Sequence, residues 1–409
     1  MADRYNFTEQ EKEELREIFH QEIVPMVFGG LEPFPQGQKP VLVQLIGQLA
    51  AGKSTALGDI LERYPGRMAE VTPDRYRAFH PNYTQVMRER PHEMVEQTND
   101  AMYFWSDMVR DYAHAQGYGL VVEGTGRNPD DLRAYAQYMA EPVDSRHSGF
   151  WNETWAVATP DMVSCNDMVG RYLSSPLGQG RWNDAQAHDQ MFAQLPHTVA
   201  VMEQDPSVSR VVVTDRDGRT HYDNTRGPDG NWVQEPRGSQ ALREARLEGQ
   251  VPLDQPQSRT WLTSYWSHNR AVIERGELNK RTAPTMRRLH EHADRIAPVA
   301  YSGQDERLHE HSQHQTVQGA VLLAGERGVP NSKLPATPTE FLTASPDQQR
   351  AYLTTMQQAD PTSAVPDDAA DAVRRTQQGQ APPGVQRTRP DSARPAGPMN
   401  EDRGSDLGR

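Results

Sequence analysis

Apolar positions along the chain follow two rhythms. Short, nearly unbroken runs at Val41–Ile46 (VLVQLI), Met68–Thr72, Gly119–Glu123 and Thr154–Thr159 have the length of strands buried on both faces. Between them, apolar residues return every three or four positions. Ala56, Ile60 and Leu61 do so after the first run. Met94, Val95, Thr98, Ala101, Met102, Trp105, Met108 and Tyr112 do so along His92–Gln116, as on one side of a helix. The alternation from Pro40 to about Asn224 predicts an α/β fold with a mainly parallel sheet. Further helices are expected over Met162–Leu173 and Asp184–Glu203. Arg210–Thr214 and Thr220–Tyr222 flank Asp217–Gly218 as a hairpin. Ahead of the first strand, Asn6–Gly30 opens with Thr8 and Glu11 at capping-box spacing and carries Leu15, Ile18, Phe19 and Ile23 on one face. Pro33–Pro40 links that helix to the sheet.

The rhythm changes at the turn-rich stretch Gly227–Pro236. Gln257–Glu277 and Ala283–Ile296 read as helices polar enough for a peripheral domain or an interaction arm. Beyond about Asp360 large apolar residues almost vanish, which predicts disorder. The expected organisation is an α/β domain over residues 1–234, a helical accessory region over 235–359 and a disordered tail over 360–409. One echo stands out, RLHEH at Arg288–His292 and again at Arg307–His311, with His314 nearby. His311 and His314 stand at i, i+3, as a metal pair could. But His290/His292 and His309/His311 are two apart and point to different sides of a helix. The echo therefore reads as a solvated polar face.

Composition narrows the class. The chain has 409 residues, 35% of them hydrophobic, and a mean hydropathy of −0.82, low for a wholly packed protein. A net charge of −13 argues against broad nucleic-acid binding, which needs a basic face. The single cysteine, Cys165, has no intramolecular disulfide partner, which fits a reducing compartment. It falls in an expected helix, as a buried thiol rather than a nucleophile. No apolar run reaches membrane-spanning length and no signal-like segment opens the chain. The expectation is a soluble cytoplasmic protein.

Chemistry enters at GQLAAGKST, Gly47–Thr55, directly after the first strand. Gly47, Gln48, Leu49, Ala50, Ala51, Gly52, Lys53, Ser54 and Thr55 fit the phosphate-binding loop of nucleoside triphosphate proteins. Glycines let backbone N–H groups turn inward, Lys53 reaches the β- and γ-phosphates, and the Ser54 hydroxyl is placed for Mg²⁺. The loop does not say where the terminal phosphate goes. Three stretches bear on that. In TPDRYRAFHPNY, Asp74 follows a strand and could accept the proton of an attacking hydroxyl, or could simply cap a helix. In LVVEGTGR, Glu123 could orient Mg²⁺ or its water and Thr125 could bond an acceptor, or the two could form an ordinary strand end. In GRYLSSPLGQGRWNDAQAHD, Arg171 and Arg181 flank an expected flexible loop, Ser174–Gly180. They could neutralise a transferring phosphoryl group, or form surface ion pairs.

In this order GQLAAGKS, DRYRAFHPNY, QGYGLVVEGTGR and GRY…GR…AHD…LP (Gly170–Pro196), behind the leading FTEQEKEELREIF…EIVP, resemble the zeta-toxin family of P-loop kinases over about residues 6–225. The resemblance implies a three-layer α/β/α fold of the P-loop type. It also implies transfer of the γ-phosphate of ATP, with Mg²⁺, to the 3′-hydroxyl of UDP-N-acetylglucosamine. The product poisons cell-wall precursor synthesis. In that scheme Lys53 holds the β/γ-phosphates, Asp74 is the general base, and Arg171 and Arg181 stabilise the transferring group. Thr125 and a carboxylate on the long helix position the amino sugar. With Gln116–Tyr118 as anchor that carboxylate is Asp107, on the helix side away from Trp105 and Met108, a placement that suits a site-facing or a solvated residue. The family usually has glutamate there, and the Arg171–Arg181 segment is a few residues shorter than in the best-known toxins. The implied partner is a small helical antitoxin. The sequence contains no such segment, and the helices after residue 235 are candidates for its role. A kinase of another small molecule (a different nucleotide sugar, a dinucleotide or an antibiotic) and a non-catalytic nucleotide-binding module also fit the residues.

Overall fold

The computed structural model describes residues 5–90, 93–142, 148–175 and 182–358. These form two compact units, residues 5–164 with 188–249 and residues 165–187 with 250–358. Arg181, most of the Ser174–Gly180 loop and the tail beyond residue 360 lie outside the described residues.

The first unit opens with α1 (Glu9–Ile18), a π-type turn (Phe19–Ile23) and α2 (Val24–Phe28). The Thr8–Glu11 capping box is present in both directions. The wide turn precedes Pro25, which has no N–H to donate into a regular helix. Then follow β1 (Val41–Ile46), α3 (Lys53–Arg63), β2 (Met68–Val71), α4 (Pro73–Tyr76), α5 (Tyr83–Glu89), α6 (Met94–Gln116), β3 (Gly119–Gly124), α7 (Pro129–Ala140) and β4 (Trp151–Ala158). After α8 (Asp161–Ser174) and α9 (Ala185–Gln204), which each have residues in both units, come β5 (Val208–Asp215), β6 (Thr220–Thr225) and α10 (Gly238–Ala245).

The six strands make one sheet in the order β2-β3-β1-β4-β5-β6. Strands β1 to β5 are parallel and β6 returns antiparallel to β5. All six residues of β1 are buried, as a central parallel strand requires. Its side chains alternate between the two faces of the sheet. Val41, Val43 and Leu45 pack with Ala56 and Ile60 of α3. On the other face Leu42 joins Leu15, Phe19, Met102 and Trp105, while Ile46 joins Leu195, Val199 and Leu242. Helices therefore cover both faces, and the expected three-layer architecture is observed. The Trp105 indole donates to Leu15 O at 2.9 Å, which locks α6 to α1. The hairpin falls at Asp217–Gly218, with Gly218 at φ +85 and Asp215 Oδ1 accepting from the Asp217 and Arg219 amides at 3.0 Å each.

The second unit contains α11 (Gln255–Glu274), α12 (Ala283–Ala300), α13 (Asp305–Glu326), α14 (Pro338–Thr343) and α15 (Pro346–Gln358). Here the repeated RLHEH corrects the expectation of a solvated face. His292 and His311 are buried, and His290 and His314 are half-buried. Helical phase explains this. His292 stands three residues after buried Leu289, and His311 starts a buried polar row continued by Gln315 and Gln318. The row is bonded internally, with Tyr265 Oη donating to Gln315 Oε1 at 2.9 Å and Gln318 Nε2 donating to Asn269 Oδ1 at 2.9 Å. Among the described residues no group of three His, Cys, Asp or Glu side chains is arranged to hold a metal ion. No described helix is long and apolar enough to cross a membrane. Cys165 is buried.

Candidate active site

The phosphate loop leaves β1 while still tied to β3, through Gly47 N–H to Gly124 O at 3.2 Å. Positive φ at Ala50 (54°) and Gly52 (83°) reverses the backbone twice, the conformation that turns successive N–H groups toward one concavity. A side chain at Gly52 would also meet Arg216 Cβ at 3.0 Å. Because Gly52 is the N-cap of α3 and brings no side chain, the first N–H groups of that helix are left for an anion. Lys53 is buried and arches over the loop, its Nζ donating to Gly47 O at 3.2 Å. Ser54 and Thr55 are exposed on the first turn of α3, whereas Gln48, Leu49, Ala50 and Ala51 are buried. The arrangement fits a polyphosphate.

Because β1, β2 and β3 are parallel, their carboxyl ends open on one edge of the sheet, where such folds bind ligands. Asp74 lies there, in α4 immediately after β2. It is not the helix cap, since Thr72 holds that position. Arg77 Nε donates to Asp74 Oδ1 at 2.9 Å, and Arg77 Nη1 donates to Thr98 Oγ1 of α6 at 2.9 Å. The carboxylate is thus oriented by a buried arginine that is itself fixed to the next helix. Glu123, next to last in β3, is in register with Leu45 of β1 and is half-buried. Thr125, one residue past the strand, is buried. Gly126 follows at φ +69, and its carbonyl accepts from Thr198 Oγ1 at 2.6 Å, so α9 clamps this turn.

Asp107 is half-buried on α6 with both oxygens engaged. Oδ1 accepts from Arg110 Nη1 at 2.9 Å and Oδ2 from the Tyr5 hydroxyl at 2.6 Å. Arg110 also bonds Asp111 and lies 5.5 and 5.0 Å over the rings of Tyr135 and Tyr138. Burial alone would lower the Arg110 pKa, but Asp107 and Asp111 carry it above its ordinary value. Arg171 is exposed on α8 and belongs to the second unit. The structure therefore gathers the loop, Asp74, Glu123 and Thr125 on one edge of one unit. It sets Asp107 in a bonded network of that unit and places Arg171 in the other.

Sequence reasoning missed Arg77, Arg110, Tyr5 and Arg216. Arg77 and Arg110 each stand three residues after a candidate carboxylate, a helical neighbour spacing that could have flagged them. Tyr5 and Arg216 reach their places by tertiary packing alone and leave no such signal.

A Gly-Lys-Ser loop between the central strand and the following helix, at the carboxyl edge of a parallel sheet, defines a P-loop α/β protein. Residues 27–226 match the family model described as Zeta toxin, and that segment belongs to the zeta toxin family. It is 24% identical over 237 residues to Toxin zeta of Streptococcus pyogenes, spanning 56% of this chain and 76% of that protein. To Toxin zeta of Enterococcus hirae it is 23% identical over 223 residues, or 52% of this chain and 75% of the other. Toxin PezT of Streptococcus pneumoniae is 24% identical over 191 residues, 46% and 73% respectively. A solved structure from the PezAT chromosomal toxin-antitoxin system of Streptococcus pneumoniae shares the fold, with TM-score 0.51 and 18% identity over 64% of this chain and 98% of that one.

Proposed function

We propose that the chain is an ATP-dependent kinase that phosphorylates the 3′-hydroxyl of UDP-N-acetylglucosamine and acts as a toxin by blocking cell-wall precursor synthesis. One observation carries this: the phosphate loop and Asp74 follow parallel strands of one sheet and leave from the same edge. Membership of the zeta toxin family supports it. Lys53 and the N-terminus of α3 bind the β- and γ-phosphates. Asp74, oriented by Arg77, takes the acceptor hydroxyl's proton as that oxygen bonds to the γ-phosphorus. The bond from γ-phosphorus to the β–γ bridging oxygen breaks and ADP leaves. Ser54 and Glu123 offer the oxygen donors that Mg²⁺ prefers. When bound, the ion offsets the charge of the phosphates. Thr125 and Asp107 orient the sugar, Asp107 exchanging its bond to Tyr5 for one to the acceptor. The resemblance assigns neutralisation of the phosphoryl oxygens to Arg171 and Arg181. By analogy with the PezAT system, a small antitoxin is the proposed partner.

The test is incubation of the full chain with Mg·ATP and a panel of nucleotide sugars, read by mass spectrometry. UDP-N-acetylglucosamine should gain one phosphate. Asp74→Asn should slow transfer by about 100- to 10,000-fold, the usual reach of a general base, while still binding ATP. A phosphate gained by another sugar alone would reassign the acceptor. Transfer to none would leave a nucleotide-binding module.

A further inference from the structure

Gln48, second in the phosphate loop, is wholly buried and sends its amide into the protein. Its Nε2 donates to Thr159 O at 2.6 Å and to Ser164 Oγ at 3.2 Å, and its Oε1 accepts from Arg246 Nη2 at 2.8 Å. Thr159 returns to the loop, its Oγ1 donating to Ala51 O at 2.6 Å. Ser164 Oγ lies 2.8 Å from His188 Nε2, and His188 Nδ1 lies 3.1 Å from Asp189 Oδ1. Ser164 and His188 are wholly buried. Ser164 and His188 thus belong to a buried series of polar contacts.

Arg246 is the member that packing alone does not explain. It lies at the end of α10, outside the matched segment 27–226. Its guanidinium is buried, lies 4.1 Å over the Phe192 ring and donates Nη1 to Phe192 O at 2.8 Å. Its ion-pair oxygen, Glu248 Oε1, is 3.8 Å away, and among the described residues Nε has no hydrogen-bond partner. Burial lowers its pKa to about 10. A buried cation so incompletely neutralised is costly, and an apolar side chain of similar size would fill the space with less penalty. Only the planar fork of arginine makes the two bonds, to Gln48 and to the Phe192 carbonyl, at once. In the low-dielectric interior its field is weakly screened and acts on the loop it holds.

We propose that Arg246 is a positioning residue for the nucleotide's phosphates, fixing the loop through Gln48 and adding positive potential behind it. The inference rests on the nucleotide reading above. The experiment is Mg·ATP binding by calorimetry on the full chain, with thermal melting of every variant. Arg246→Met should raise Kd about tenfold or more, as expected for loss of a hydrogen bond involving a charged group. Gln48→Ala should weaken binding similarly, and the double variant should be far less than the product of the two. Arg246→Lys keeps the charge but not the fork, so its Kd should fall between the native value and that of Arg246→Met. A folded Arg246→Met with Kd within about twofold of native overturns the inference. If Arg246→Met does not fold, a folded Arg246→Lys and Gln48→Ala that both bind as the native chain does overturn it equally. A native chain that fails to bind Mg·ATP removes the nucleotide reading itself, and this inference with it.

Discussion

Replacing Gly126 with alanine should weaken the fold and disturb Thr125 together. Gly126 has φ +69, a region that costs a residue with a side chain roughly 1–2 kcal/mol. The added Cβ would lie 2.4 Å from Leu195 Cδ1 and 3.3 Å from Ile46 Cβ. Leu195 and Ile46 are both wholly buried, so the new methyl has to be fitted into a filled core, at about 1–3 kcal/mol. The sum, about 2–5 kcal/mol, is a large share of a typical stability of about 5–15 kcal/mol. At about 2–4 °C per kcal/mol for a domain of this size, the melting temperature should drop by roughly 5–15 °C. Gly124→Ala is the control, since a Cβ there meets nothing within 4 Å. Circular dichroism melts test the stability, and initial-rate transfer assays at low temperature test the site. KM for the sugar should rise in Gly126→Ala, while ATP affinity, set by the loop after β1, should stay near native. A melting temperature within about 2 °C of native, with KM unchanged, would refute the reasoning.

Two other outcomes follow from the described contacts. Tyr5→Phe removes the 2.6 Å bond to Asp107 Oδ2 while keeping the ring against Phe104. If the sugar must displace Tyr5, KM for the sugar should fall by about threefold to tenfold, and an unchanged KM would take Asp107 out of the acceptor site. Acid should loosen the second unit, because burial lowers the pKa of His290 and of His311 to about 4, against about 6.5 when unfolded. The unfolded chain then takes up protons first as pH falls, so this stability is whole above about pH 6.5 and is lost progressively down to about pH 4. Asp294 opposes the trend, since burial raises its carboxyl to about 6 and its protonation over the same interval is stabilising. His311→Leu should therefore flatten the slope of melting temperature against pH, by up to about 3 kcal/mol across the interval. Identical slopes in the two proteins would sink the assignment.

The fold was legible where burial was continuous and apolar. Val41–Ile46 reads as a strand from its letters and is one from end to end. Polar residues that find partners inside the protein hid the rest. β4 begins at Trp151 rather than Thr154, because Asn152 and Glu153 look like loop residues yet are buried. Asn152 Nδ2 donates to Ala136 O at 2.7 Å. Glu153 accepts from Tyr64, Trp151, Trp155 and Arg210. α12 likewise runs on to Ala300 through Pro298, although proline has no N–H to return to the carbonyl of residue 294 and so breaks the expected pattern.

At the site the same distinction separates backbone from side chain. The phosphate loop is a local motif, so nine consecutive residues carry its spacing and its glycines. The bonds that hold it are not local. Gln48 meets Thr159 across 111 positions and Arg246 across 198, and Asp107 meets Tyr5 across 102. No periodicity or motif encodes such pairs, because they exist only once the sheet order has brought the elements together. The turn-rich stretch Gly227–Pro236 shows the consequence. It marks a change in sequence rhythm, but packing continues past it, with Ala241 and Leu242 of α10 in one core with Val211, Val213 and Tyr222. That packing delivers Arg246 to Gln48. The loop's chemistry can thus be read from a motif, while the rigidity that chemistry needs comes from residues that resemble an unrelated helix until the fold is known.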